Sequence, residues 1–149
     1  MSTLTGEAAD RQAIRDLVDA WARCADRRRP ADQAALFTAR SPSTRATRVP
    51  PTPAQRLQGY GEMAEAFKVL DAYGVTTHFN GQSTVQLDGD RASGETYCLA
   101  HHVWEEDAQR TLSVLSIRYL DTFVRQEGGW CFAERRLIND WSDRRPSAE

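Results

Sequence analysis

Cysteine is scarce in this chain, and its few copies are isolated. Cys24, Cys98 and Cys131 lie far apart, and no C-x-x-C pair occurs. Three separated cysteines indicate neither a disulfide framework nor a zinc knuckle, so we interpret Cys98 and Cys131 as small core residues. Cysteines used in this way are typical of a reducing compartment, and we therefore expect a cytoplasmic protein.

Long apolar runs and a strong net charge are missing, and lysine is scarce. No stretch approaches the roughly 18 apolar residues of a membrane span, and no apolar run of a secretory signal follows Met1. The formal net charge is -2, which gives no electrostatic reason for binding to nucleic acid or to an anionic membrane. Lys68 is the only lysine, so arginine carries almost all of the positive charge. We expect neither a nucleic-acid partner nor a membrane partner.

Apolar spacing predicts three helices in the N-terminal half. From Glu7 to Arg27 the apolar residues recur every three or four positions, and they form one stripe that includes Trp21. Pro30 suits the first position of a second helix, which continues over Ala31–Phe37. The same period returns over Gly61–Tyr73 and predicts a third helix.

The segment Thr38–Gly59 breaks this pattern. It contains four prolines, almost no apolar residues and no aromatic residue. We predict an extended loop, in which Arg45–Val49 is a marginal strand candidate. A loop of this length in a compact domain is typical of a lid, a binding loop or a disordered segment.

The C-terminal half changes to a period of two, which predicts four strands. They are Val75–Leu87, Ala92–Trp104, Thr111–Arg125 and Trp130–Trp141, joined by short polar or glycine-containing turns. Helices followed by an antiparallel meander predict an α+β fold, in which a curved sheet takes the three helices on one face. The length fits a single domain over residues 1–149, and residues 1–6 and 142–149 are predicted to be flexible tails.

All three histidines lie in the first predicted hairpin. Residues two apart share a face of a strand, so His101 shares its face with Tyr97 and Leu99, whereas His102 lies on the opposite face. Neither face of this strand is cleanly polar, so both are expected to be at least partly covered. Faces that mix apolar and polar residues are typical of a ligand pocket.

Three arginines on the last two strands are expected on the outer face of the sheet. They are Arg118, Arg135 and Arg136, and we interpret each as the partner of Asp121 or Glu134. A charged side chain is seldom fully buried, which favours this exposed position.

Four stretches together resemble a known family, the SnoaL-like branch of the NTF2-like superfamily, which includes scytalone dehydratase-like and polyketide cyclase-like proteins. The resemblance rests on AIRDLVDAWARCADRR followed by AALF, on GVTTHFNGQ, on GETYCLAHHVW after a DGDRA turn, and on IRYLDTFVRQEGGWCFAERRLINDW. It covers nearly the whole chain and implies the NTF2-like cone, a strongly curved antiparallel sheet with three helices. It also implies a short strand pair after the second helix, often with an aromatic residue that closes the pocket. The corresponding segment here, Thr38–Gly59, has no aromatic residue.

The same resemblance implies the site residues. An aspartate at the end of the first helix pairs with a histidine on the first long strand, and these positions match Asp26 and His78. A second histidine on the next strand faces the pocket in scytalone dehydratase-like members, and it matches His101, with Tyr97 on the same face. Asn80 is expected to position the substrate. Further substrate contacts are predicted for Trp21, Leu99 and Tyr119.

These residues predict a dehydratase, isomerase or cyclase that needs no cofactor and no metal. A carboxylate that holds one nitrogen of a histidine leaves the other nitrogen to accept a proton. His78 would take a proton next to a carbonyl group of a small hydrophobic substrate, and His101 or Tyr97 would stabilise the developing enolate.

Other interpretations stay open from the sequence. His78 and His101 could be core histidines, and Asp26 could be a solvated residue beside Arg27–Arg29. Asp26, His78 and His101 could also form a metal site of two histidines and one carboxylate. A different class of function is a non-catalytic module for small-ligand binding or dimerisation. The resemblance implies a homodimer or a higher homo-oligomer as the assembly.

Overall fold

Three α-helices form where the apolar spacing predicted them. The computed structural model describes residues 5–39, 42–47 and 55–148, and the α-helices in these ranges are α1 (Glu7–Asp26), α2 (Pro30–Ala35) and α3 (Tyr60–Phe67). A short 3-10 helix, Lys68–Ala72, continues α3. Helix α1 ends because Arg28 adopts a left-handed backbone conformation, with φ at 54°. No helix of the described residues is long and apolar enough to cross a membrane.

The strands of the described residues form one sheet of six. They are β1 (Pro42–Thr47), β2 (Gln55–Gln58), β3 (Val75–Asp88), β4 (Arg91–Glu106), β5 (Gln109–Gln126) and β6 (Gly129–Pro146). The spatial order is β2-β1-β6-β5-β4-β3. Strand β1 runs parallel to β6, and the other neighbours are antiparallel. The predicted α+β architecture and the four-stranded meander are confirmed.

Two predictions about irregular segments were wrong. The supposed loop Thr38–Gly59 contains β1 and β2, which pair with each other and extend the sheet beyond β6. The marginal candidate Arg45–Val49 overlaps β1 only in part, and residues 48–54 lie outside the described residues. Residues 142–146 are not a tail, because they continue β6 and pair with β5 as far as Thr111. Both segments are strands because their backbones are hydrogen-bonded to neighbouring strands. Such pairing does not require alternating apolar residues, so the sequence pattern did not reveal it.

Irregular pairing curves the sheet around the helices. The β3–β4 register shifts between Asn80 and Ser83, and the β5–β6 register shifts at two places. An extra residue in one strand increases local twist and bends the strand. At the close approach of β3 and β4, Gly94 leaves no room for a side chain, because a Cβ atom there would lie 2.7 Å from the Thr84 carbonyl oxygen.

The core lies between α1 and the inner face of this curved sheet. Helix α1 contributes Ile14, Val18 and Trp21, all at most 6% exposed. They pack in one cluster with β-strand residues that share the inner face. These strand residues are Ala92, Cys98, Ala100, Ile117, Tyr119, Phe123, Trp130 and Phe132. One side of α1 is therefore fixed against the strands, and its last turn is held over β3.

The first turn of α1 is anchored to the far end of the sheet. Arg125 donates two hydrogen bonds of 2.7 Å to the Asp10 carboxylate, and Trp130 Nε1 donates a third of 3.0 Å. These hydrogen bonds, that from Arg125 above all, hold the pKa of Asp10 below its usual value. The negative charge also lies at the N-terminal end of the helix, where the helix dipole favours it.

Asp10→Asn is expected to lower the melting temperature most at neutral pH. A carboxyl whose folded-state pKa is depressed stabilises the fold above its unfolded-state pKa, here near 3.8, and loses that effect as pH falls through the folded-state value. The difference in melting temperature between wild type and variant should therefore shrink in acid, as measured by thermal denaturation over pH. Asp16→Asn, on the exposed side of the same helix, is the control. A difference that is equal in neutral and strongly acidic buffer would contradict this role of the charge.

Candidate active site

Asp26 and His78 form a hydrogen-bonded pair at the end of α1. Asp26 is the last residue of the helix, and its Oδ1 lies 2.7 Å from His78 Nδ1. The backbone N–H of His78 donates to Asp26 Oδ2 at 2.9 Å, and the Thr76 hydroxyl donates to Oδ1 at 3.0 Å. The His78 side chain is only 5% exposed. Both carboxylate oxygens are therefore held by donors from β3.

Hydrogen bonds from Arg28 hold the end of α1 and the start of β3 together around the Asp26–His78 pair. The left-handed turn at Arg28 brings its guanidinium back over the helix end, where Nη1 donates to the Thr76 hydroxyl at 2.7 Å and to the Ala25 carbonyl at 3.0 Å. Nη2 donates to the Tyr73 carbonyl at 3.1 Å. A carboxylate at a helix C-terminus is disfavoured by the helix dipole, and the donors on β3 compensate for it. The interpretation of Asp26 as a solvated residue was wrong.

The charge state of Asp26 determines which nitrogen of His78 carries the proton. Burial raises the pKa of Asp26, but hydrogen bonds from the side chain and backbone of His78 and from Thr76 outweigh it and hold the pKa below its usual value. An ionised carboxylate needs donors, so we infer from this network that Nδ1 is protonated. The lone pair of Nε2 is then the basic site of the ring.

His78 lies in the wall of a cavity of about 220 Å³. The edge of the Trp21 ring faces it at a centroid distance of 6.1 Å, and the His102 ring lies 5.7 Å away. Most of the remaining wall is apolar and comes from α3, the 3-10 helix, β2, β5 and β6. These apolar residues are Leu57, Ala66, Phe67, Val69, Leu70, Leu115, Ile117 and Leu137. The contribution of Leu57 shows that β2, inside the supposed loop, forms part of the pocket wall.

A buried arginine lies in the same wall. Arg135 is 1% exposed, and its Nε and Nη2 each donate to Asp121 at 2.8 Å. Its guanidinium carbon lies 3.9 Å from the centre of the Tyr119 ring, 4.3 Å from that of Phe132 and 4.7 Å from that of Trp21. The cavity thus combines an apolar lining with a base and a fixed cation.

The SnoaL-like domain family model matches residues 6–136, which is most of the chain. The chain belongs to the SnoaL-like domain family. A candidate scytalone dehydratase from Novosphingobium aromaticivorans is similar in structure, with a TM-score of 0.76 at 20% identity over 91% of this chain and 87% of that one. The hexachlorocyclohexane dehydrochlorinase LinA type 2 superposes with a TM-score of 0.74 at 18% identity, over 94% and 90% of the two chains. These likenesses confirm the NTF2-like cone.

A relative found by sequence comparison matches only part of this SnoaL-like domain. An uncharacterized protein of Mycobacterium tuberculosis is 35% identical over 68 residues, which are 46% of this chain and 46% of that protein. The chain thus matches about half the length of this curated relative.

The predicted position of the second histidine was wrong. His101 lies on the outer face with Tyr97 and Leu99, which are 39% and 40% exposed. His102 is 8% exposed, lines the cavity and stacks on Tyr73 at 4.5 Å. The outer face of β4 is itself apolar at these positions, so no run of polar residues marks the solvent side of the strand.

The other predicted contacts divide between the cavity and its surroundings. Trp21 lines the cavity. Asn80 does not, because its amide donates to Asp19 at 2.8 Å and ties β3 to α1. Tyr119 is fully buried beneath Arg135, with its hydroxyl against the Cys98 thiol, and burial raises its pKa well above the usual value. Asn80 and Tyr119 therefore support the site without lining it.

Arg135 and His102 are site residues that sequence reasoning missed. Arg135 was expected on the outer face; its predicted partner Asp121 is found, but both side chains are only 1% exposed. An extra residue in β6, at Ala133, moves the alternation by one position, so Phe132 and Arg135 both point inward. Arg136 is exposed, as expected. Nothing in a single sequence marks where such a bulge falls.

The alternative metal site is not assembled. His101 lies on the opposite face of the sheet from His78 and Asp26. In the described ranges, no group of three or more histidine, cysteine, aspartate or glutamate residues is placed to hold a metal ion. The expected homodimer stays a prediction.

Proposed function

We propose that this SnoaL-like domain is a cofactor-independent lyase or isomerase that acts on a small hydrophobic carbonyl compound. The observation that carries the proposal is His78, whose Nδ1 is held by Asp26 at 2.7 Å and whose ring lines an apolar cavity. Pockets for drug-sized ligands measure about 300–1,000 Å³. A cavity of about 220 Å³ favours a smaller substrate, of the size of one or two rings.

His78 acts as the general base. Its Nε2 takes a proton from the carbon next to the substrate carbonyl group, and the electron pair of that C–H bond moves to the carbonyl oxygen to give an enolate. Asp26 stays ionised and stabilises the imidazolium that forms. If a hydroxyl group lies on the β carbon, collapse of the enolate expels it, and a proton converts it to water. If the enolate is conjugated, return of the proton at another carbon moves the double bond.

His102 takes the role that the resemblance gave to a second histidine. Its ring lies 5.7 Å from that of His78 and lines the same cavity. Stacking on Tyr73 at 4.5 Å fixes the plane of the ring. In our proposal His102, beside the base in the same wall of the cavity, donates a proton to the leaving oxygen. The similar structures of scytalone dehydratase-like and dehydrochlorinase proteins support an enzyme of this class.

Proton exchange in heavy water tests the proposal. Small cyclic ketones and β-hydroxy ketones are incubated with the protein in D2O, and proton NMR follows the α-proton signal and the loss of water. We expect loss of the α-proton signal or elimination with at least one compound, above the rate in buffer and with protein denatured by heat. Saturable binding across the panel without exchange would contradict the proposal and favour the non-catalytic ligand-binding module.

A further inference from the structure

Two buried nitrogen donors on residues of the cavity wall have no acceptor among the described residues. They are Nη1 of Arg135 and Nε1 of Trp21, and both atoms are buried. Arg135 is 1% exposed and Trp21 is 6% exposed, and both residues line the cavity that contains His78. Buried donors are almost always hydrogen-bonded in folded proteins, because removing a donor from water without giving it a partner is unfavourable. Two such donors in one wall therefore indicate a ligand acceptor.

The two side chains that carry these donors are packed against each other and are rigid. The Arg135 guanidinium carbon lies 4.7 Å from the centre of the Trp21 ring. Two hydrogen bonds to Asp121 and three aromatic rings hold the guanidinium, so Nη1 cannot turn toward another partner. The Trp21 ring is packed against Tyr119 and Phe67 at 5.2 and 6.0 Å. Donors that are fixed before the ligand arrives stabilise developing negative charge most strongly.

The wall favours an oxygen that becomes negative over one that is permanently charged. Asp121 already neutralises Arg135, and the surrounding wall is mostly apolar. A carboxylate, whose charge stays on its two oxygens, would lose its hydration there without meeting an unpaired positive charge, whereas an enolate or a phenolate spreads its charge into the carbon skeleton. A ketone oxygen enters at low cost, and it gains strength as an acceptor when it becomes an enolate.

We propose that Arg135 Nη1 and Trp21 Nε1 form the subsite for the carbonyl oxygen of the substrate. This inference rests on the proposed function and deepens it. Trp21 lies between the two functional groups, with its ring 6.1 Å from His78 and 4.7 Å from the Arg135 guanidinium. A substrate whose oxygen binds both donors presents its neighbouring C–H bond toward the His78 side of the cavity. The substrate class is thus an uncharged ketone that forms a planar enolate.

Binding of 4-nitrophenol tests this subsite without any turnover. Its phenolate is a stable analogue of a planar enolate, and its visible absorbance distinguishes the ionised form from the neutral one. We expect the wild-type protein to prefer the phenolate, so that the bound phenol ionises at lower pH than the free phenol. Trp21→Phe keeps an aromatic, though smaller, side chain but removes Nε1–H, and it should weaken phenolate binding roughly 10-fold, as expected for one hydrogen bond to a charged acceptor.

A second variant and a direct probe complete the test. Arg135→Lys keeps the charge beside Asp121 but removes the Nη1 donor, and it should also weaken phenolate binding. Trp141→Phe, at a tryptophan that is 50% exposed, is the control and should bind as wild type does. In ¹H–¹⁵N spectra the Trp21 indole signal, identified by its absence in Trp21→Phe, should move downfield when phenolate binds.

The outcomes separate the two proposals. Equal binding of phenol and phenolate, or unchanged phenolate binding in both Trp21→Phe and Arg135→Lys, would overturn the acceptor subsite even if proton exchange is observed. Preferential phenolate binding that both variants weaken would support the subsite. If that binding occurs without proton exchange of any ketone, the subsite stands and the proposed catalysis fails.

Discussion

His78→Gln is expected to lower turnover by roughly 10²- to 10⁴-fold, the range that a positioned general base contributes. Glutamine has no lone pair basic enough to accept a proton from carbon, although its amide can still donate to Asp26. Asp26→Asn should lose much of the same factor, because an amide in place of the carboxylate can donate to Nδ1 and so place the proton on Nε2. The measurement is the rate of elimination or exchange with the substrate found by NMR.

The controls for this prediction come from the same hairpin. His101→Gln changes a histidine on the outer face and should keep the wild-type rate. The double variant of His78 and Asp26 should be little slower than His78→Gln alone, because residues that act as a unit are not additive. Circular dichroism and thermal melting verify that each variant is folded. A wild-type-like rate in His78→Gln would remove His78 from the mechanism. A large loss in His101→Gln would show that the effect is not specific to the histidine in the cavity.

Asp121→Asn is expected to lower the free energy of unfolding by about 3–5 kcal/mol, the typical cost of removing one partner of a buried ion pair. Arg135 would keep its charge at 1% exposure, with one charge-assisted hydrogen bond lost and no other carboxylate within bonding distance in the described residues. Urea denaturation at neutral pH measures the change. The loss should exceed that of Asp140→Asn, whose partner Arg118 is more exposed, with 17% of its side chain accessible.

A double replacement distinguishes charge from packing. Asp121→Leu combined with Arg135→Met removes both charges and keeps most of the volume, so it should recover much of the stability lost in Asp121→Asn. The same double variant should lose preferential binding of 4-nitrophenolate, because it lacks the Nη1 donor. If the double variant is no more stable than Asp121→Asn, the ion pair is not the source of the loss.

The long hairpins could be predicted from the sequence because the turn residues and the alternation of apolar residues indicate the same strand boundaries. Strands β3 to β6 begin and end within a few residues of the predicted bounds, apart from the C-terminal extension of β6. Strands β1 and β2 could not be predicted, because they are short, polar and proline-flanked. They exist because β1 pairs with β6 and β2 pairs with β1. The pairing of β1 with β6 joins positions about 90 residues apart, such as Ser43 and Arg135.

The site could be predicted only in part. The positions of Asp26 and His78 came from the family resemblance, and the structure brings them together. Which face of β4 points inward could not be read, since Tyr97 and Leu99 make the outer face as apolar as the inner one. Arg135 could not be found because a one-residue bulge in β6 reverses the alternation, and single-sequence periodicity assumes that strands have none.

The hydrogen bonds of Arg28 position the Asp26–His78 pair through segments that do not form the apolar side of the cavity. They join the end of α1 to Tyr73 and Thr76, so the hydrogen bonds that hold the Asp26–His78 pair lie within residues 25–28 and 73–78. The apolar side of the cavity comes from other segments, among them β2, α3 and the 3-10 helix. Those segments can change in size and shape while the proton acceptor stays where it is. If the proposed function holds, one catalytic frame serves many substrates, and selection can act on the shape of the cavity independently of its chemistry.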